Sequence, residues 1–275
     1  AVCKDGTVSS RADSSYVETA HEKGLEVWGL VDNFNQEVDM KGVLTNTTAR
    51  EKLTTQLIEA ALEYQLDGLN IDFENLGEEL GDAYIEFLRE LSIQCRKNNL
   101  VLSSDNTVPR DFSAYYQRSE QAEVVDYFII MGYDEHYVGS DPGSVASLSF
   151  EKEGIESTIA EGVPADKIIS GVPFYTRLWK TDTSGEVSSE AIGMNTADST
   201  LEANGVTANW SDETSQDYAE DHDPDGALYQ IWLENEASME LKAKLIPEYQ
   251  LAGFAALKLG FERASIWDVI STSIK

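Results

Sequence analysis

The chain has 275 residues, enough for one large domain or two small ones, and its 41% hydrophobic and 9% aromatic content can fill a sizeable core. Against 20 Lys and Arg stand 50 Asp and Glu, a formal net charge of −30. Such a surface repels nucleic acid and anionic membranes, so neither is expected as a partner. No apolar run is long enough to span a bilayer, and no leader peptide is read in these residues.

In chain order, a short helix at 14–23 ends at Gly24, and an apolar strand follows at 25–34. Leu53, Leu57, Ala61 and Leu62 recur at helical spacing over 47–65. A strand at 66–75 precedes an amphipathic helix at 82–98, on whose apolar side Cys95 is expected as a core thiol. Cys3 and Cys95 have no metal or redox spacing. Strands at 100–109 and 124–135, a helix at 147–162, a strand at 167–179, a last strand at 251–260 and a closing helix at 266–274 complete the pattern. Apolar strands alternating with helices mean a parallel sheet covered on both faces or a closed βα barrel. Six strands are of this type, where a barrel has eight. Residues 180–247 break the alternation and read as a small α+β insertion before the last strand, within one domain of 1–275.

The stretch LDGLNIDFEN at 66–75 sets Asn70, Asp72 and Glu74 on one strand face and Leu69, Ile71 and Phe73 on the other. The apolar face suits helices, so the polar face is expected to look into the barrel, Glu74 nearest the C-terminal rim. Members of such a row lie about 6–7 Å apart. Neighbouring acids in a confined site cannot both ionise cheaply, which is how a Glu becomes a general acid near neutral pH. A calcium loop does not fit: Asn75 stands where the turn glycine belongs and Gly81 at the twelfth position. No metal or cofactor is expected.

Asp67-Gly-Leu-Asn70-Ile-Asp72-Phe-Glu74 resembles the D-x-x-D-x-D-x-E signature of glycoside hydrolase family 18, the chitinase-like hydrolases, with Asn70 where most members have Asp. Residues 131–134 (MGYD) and 171–177 (GVPFYTR) resemble later strand ends of the family, in the right order. Asn at position 70 resembles the bacterial branch that acts on peptidoglycan, including spore-cortex-lytic enzymes. The resemblance implies a (β/α)8 TIM barrel, here read as lacking its first one or two strands, and a retaining, substrate-assisted mechanism. It implies that Glu74 is acid and base, that Asp72 orients the acetamido N–H, and that Tyr133 holds the acetamido oxygen. Asn70, Met131, Asp134, Tyr175 and Arg177 would line the sugar site. The Asn70 amide is expected to donate to Asp72 and keep it ionised. The family's floor Trp is matched by Leu257, with Trp210 or Trp232 as stand-ins from the insertion.

Asp105 and Asn106 end a strand on the same rim, either to touch sugar or to cap a loop. His136 reads as a loop hydrogen-bonder, and residues 221–226 as a surface turn rather than a calcium loop. The expectation is hydrolysis of β-linked N-acetylglucosamine polymers, peptidoglycan first, by an extracellular or cell-surface bacterial protein. The alternatives are a chitinase or chitooligosaccharide hydrolase, and a catalytically silent carbohydrate-binding relative.

Overall fold

The computed structural model describes residues 1–4, 6–35 and 38–275. The chain forms two compact units, Ala1–Ile129 with Thr158–Lys167, and Ile130–Ser157 with Ile168–Lys275.

In the first unit, α1 (Ser14–Glu22) starts at Asp13, whose carboxylate accepts from the Ser15 and Tyr16 amides. It stops at Gly24, which takes a left-handed φ of +73°, as the sequence predicts. Then come β1 (Trp28–Asp32), α2 (Met40–Leu44), α3 (Thr47–Glu63), β2 (Gly68–Asp72), α4 (Gly81–Lys97), β3 (Val101–Thr107), α5 (Arg118–Ala122) and β4 (Tyr127–Met131), which runs on into the second unit. β1, β2 and β3 are parallel neighbours, with Asp32 opposite Asp72 and Asn70 opposite Ser103. Gly68 is required by close approach: a Cβ there would lie 2.8 Å from the Val101 carbonyl. Leu69, Ile71 and Phe73 are buried, and Phe73 stacks on Phe87 of α4 with centroids 5.5 Å apart. Burying each such side chain contributes about 1.5–3 kcal/mol. Arg50 of α3 forks both oxygens of Glu90 on α4 at 2.9 and 3.1 Å and also donates to the Leu44 carbonyl.

The second unit takes in the start of α6 (Leu148–Ala160) and then β5 (Ile168–Pro173), β6 (Tyr175–Thr181), β7 (Val187–Gly193), α7 (Met194–Asn204), β8 (Asn209–Ser211), β9 (Gln216–His222) and β10 (Leu228–Leu233). α8 (Glu236–Ala243), α9 (Leu245–Tyr249), β11 (Gly253–Leu257) and α10 (Ser265–Ser273) follow. β5 and β11 pair in parallel. β6 to β10 form an antiparallel sheet in the order β7-β6-β10-β9-β8, and α7 covers it over Ile192, Ala197, Ala219, Ile231 and Leu233.

Among the described residues six strands are of the barrel type, β1 to β5 and β11, each inside its expected range. One expectation is corrected. The run 167–179 is not one strand: it breaks at Phe174 into parallel β5 and antiparallel β6. Phe174 is fully buried against Val172, Met194 and Ile266, and its amide donates to the Leu257 carbonyl at 2.7 Å. That anchor ends β5 and lets Tyr175 start a new sheet.

Candidate active site

Asn70 and Asp72 lie on β2 and Glu74 two residues past its end, all in the first unit. The turn that carries Glu74 is pinned twice. The Asn33 side chain donates to the Glu74 carbonyl at 2.8 Å and accepts from the Glu74 amide at 3.0 Å. The Tyr116 hydroxyl donates to the Phe73 carbonyl at 3.0 Å and accepts from the Leu76 amide at 3.2 Å. Between these anchors Asn75 takes a left-handed φ of +53°, which Asn tolerates better than most residues. Asn33 and Tyr116 were missed in the sequence because each acts on backbone at least 40 positions away in the chain.

Asn70 and Asp72 are buried, and the Asn70 amide behaves differently from expectation. It donates to Ser103 Oγ at 2.9 Å and Asp105 Oδ1 at 2.8 Å, both on β3. Asp72 does not receive it, because Asn70 lies opposite Ser103 and its amide is spent across the strands. Asp72 Oδ1 is buried with no hydrogen-bond partner among the described residues. Burial, then the charges of Asp105, Glu74 and Asp32, push Asp72 up to about 7. The Asn70 hydrogen bond expected to favour ionised Asp72 is therefore absent, which corrects the sequence expectation. Burial pushes Asp105 up to about 6 while the Asn70 hydrogen bond works against that rise. Asn106, its neighbour, is structural: it exchanges two 2.9 Å hydrogen bonds with Gln121.

A second group of predicted residues lies in the second unit. Met131 ends β4; Tyr133 and Asp134 follow it, Asp134 exposed at φ +58°. The Tyr175 hydroxyl donates to Asp134 Oδ1 at 2.7 Å, and the Tyr133 ring meets Tyr175 edge-on at 6.4 Å. Arg177 donates to Ser189 Oγ at 3.2 Å, and its buried Nε has no partner among the described residues. Tyr133, Asp134 and Tyr175 thus form one contact group, and Arg177 stands two residues further along β6. Beneath the end of β4 lies Glu151, buried, its Oε2 so close to Gly132 that a Cβ there would clash with it. Glu151 also escaped the sequence reading, since a single Glu on a helix looks like a solvated residue.

The model of the glycosyl hydrolases family 18 matches residues 15–262. The chain belongs to glycoside hydrolase family 18. The uncharacterized glycosylase YvbX of Bacillus subtilis (strain 168) is 27% identical over 284 residues, 99% of this chain and 82% of that protein. A cortical fragment-lytic enzyme of the same organism is 25% identical over 236 residues; the match takes in 83% of this chain and about half, 54%, of that relative. The crystal structure of the Bacillus megaterium QM B1551 spore cortex-lytic enzyme SleL superposes with a TM-score of 0.89 at 23% identity, over 100% of this chain and 65% of that one, a likeness of fold.

Family 18 membership gives the remaining residues their frame. Asp67, first in the signature, accepts from the Val27 amide at 2.7 Å and meets His21 Nε2 at 2.8 Å. Leu257 closes β11 with its side chain 40% exposed. Trp232 packs tilted on Tyr218 at 4.7 Å inside the antiparallel sheet, and Trp210 sits on its outermost strand with its indole on Asp212. His136 meets the Asp141 carbonyl at 2.9 Å, as a loop residue would. Asp223, in the expected turn at 221–226, accepts from the Asp225 and Ala227 amides. No cluster of metal-binding side chains exists among the described residues. Nor is any helix among them long and apolar enough to cross a membrane.

Proposed function

We propose that the chain hydrolyses β-linked N-acetylglucosamine glycans, bacterial peptidoglycan in particular, with retention and with assistance from the substrate. The observation that carries this reading is Asp72: a buried carboxylate oxygen without a partner among the described residues, two positions before Glu74. A buried acceptor of this kind fits an N–H donor arriving with a ligand, and the acetamido N–H of N-acetylglucosamine is one.

In the proposed reaction Glu74 gives its proton to the glycosidic oxygen as the anomeric bond breaks. The acetamido oxygen attacks the anomeric carbon and forms an oxazolinium ring. Ionised Asp72 accepts the acetamido N–H and offsets the developing positive charge. Glu74 then takes a proton from the water that opens the ring. The family pattern assigns Tyr133 to the acetamido oxygen and Met131, Asp134, Tyr175 and Arg177 to the sugar. The name of the cortical fragment-lytic relative supports peptidoglycan. That substrate in turn places the protein outside the cell or at its surface.

The test is release of reducing ends from purified peptidoglycan and from chitooligosaccharides by the parent and by Glu74→Gln. The expected result is cleavage of peptidoglycan by the parent and loss of at least about 100-fold in the variant. Cleavage of chitooligosaccharides alone would move the substrate to chitin. Binding of both glycans with no cleavage by the parent would make the chain a silent carbohydrate-binding relative, a reading that the exposed Leu257 favours.

A further inference from the structure

The site holds a carboxylate that the signature does not contain. Asp105 comes from β3, 33 residues beyond Asp72, and is fixed by the Asn70 amide at 2.8 Å. The parallel register that sets Asn70 opposite Ser103 brings the strand positions of Asp72 and Asp105 side by side. Around Asp72 the other acidic groups are Glu74 on its own chain segment and Asp32 opposite it on β1, with the buried Tyr84 hydroxyl of α4 nearby. Of the two strand carboxyls, Asp105 receives the Asn70 amide and Asp72 Oδ1 has no donor among the described residues.

We propose that Asp105 is a positioning residue for the hydrolysis, the fixed negative charge that sets when Asp72 gives up its proton. This rests on the reading of Asp72 as the acceptor for the acetamido N–H. The Asn70 amide can donate to an ionised carboxylate and favours the charge on Asp105. Of the two carboxyls, Asp72 then holds its proton more firmly, since its oxygen lacks the donor that Asp105 has. When Asp72 ionises to receive the acetamido group, that proton leaves to bulk water. Asn70 acts at one remove, through Asp105. Burial pushes both carboxyls up, the negative charge of Asp105 adds to the rise at Asp72, and the Asn70 hydrogen bond opposes it at Asp105.

Two measurements test it. In the pH profile of kcat/KM on whichever glycan the parent cuts, Asp105→Asn is expected to move the acid limb down by about one pH unit, because a like charge beside Asp72 is gone. A uniform loss of rate with the limb unmoved would make Asp105 merely structural and overturn the proposal. The second readout needs no activity: carbon-13 NMR titration of the aspartate carboxyls in the free protein, assigned with Asp72→Asn. Asp105→Asn is expected to lower the Asp72 midpoint, and Asn70→Ala to raise that of Asp105. Midpoints unchanged in both variants would overturn the proposal even for a parent that cuts nothing. Shifted midpoints in such a parent would sustain the charge coupling while the hydrolytic reading fails.

Discussion

Asn33 grips Glu74 by both backbone polar groups, the amide at 3.0 Å and the carbonyl at 2.8 Å. The grip fixes the backbone from which the Glu74 side chain starts. Asn33→Ala frees the turn on that side and leaves the Tyr116 anchor in place. The expected outcome is a fall in kcat of roughly 10–100-fold with KM little changed, since misplacing a proton donor costs rate more than binding. Steady-state kinetics on the cleaved glycan check it, with circular dichroism to confirm an intact fold.

Glu151 makes the protein's stability depend on pH. Burial pushes its carboxyl up from 4.5 to about 8, with Lys242 working against the rise and Glu234 adding to it. The folded state therefore keeps a proton that the unfolded chain releases, and stability falls as pH rises from 4.5 through 8. Glu151→Gln cannot ionise. Its melting temperature is expected to vary less than the parent's across that window and to exceed it at the alkaline end. Thermal melts at a series of pH values decide this; parallel curves would show that Glu151 does not titrate in this range.

Leu257, which the sequence resemblance matches to the family's floor Trp, has 40% of its surface exposed. Leu257→Trp offers a flat ring in its place. Calorimetric titration with chitooligosaccharides is expected to show binding tightened about tenfold, the scale of one good aromatic contact. An unchanged Kd would show that position 257 does not meet the sugar.

The net charge of −30 predicts a protein stabilised by salt. Raising ionic strength from about 0.01 to 1 M shortens the screening length from about 30 Å to 3 Å and damps the self-repulsion. The melting temperature is expected to climb by about 2–4 °C for each 1 kcal/mol so relieved. A flat or falling Tm with added sodium chloride would show that repulsion among the excess acidic groups does not limit stability.

Most barrel strands were legible as apolar or alternating runs closed by polar turn residues, although β3 is polar after Leu102, and Gly24 ended α1 because its position demands a left-handed backbone. The break at Phe174 was passed over. Residues 168–179 read as one strand run, although Pro173, which cannot donate to a ladder, stands directly before the break and the buried Phe174 ring completes it. The carboxylate row was legible from its period of two. Its electrostatics were not, because Asn70 could donate to Asp72 or across the strands, and only the pairing of β2 with β3 selects Asp105.

Asp67 has a consequence for how the signature is to be interpreted in other chains. It opens the motif, yet it bonds the Val27 amide and His21, so its work is to tie the start of β1 to the start of β2. Loss of that carboxylate would leave the Val27 amide without its side-chain acceptor and free the start of β1, a cost borne by folding. The first residue of this eight-residue motif is therefore a determinant of assembly, whatever the last one does.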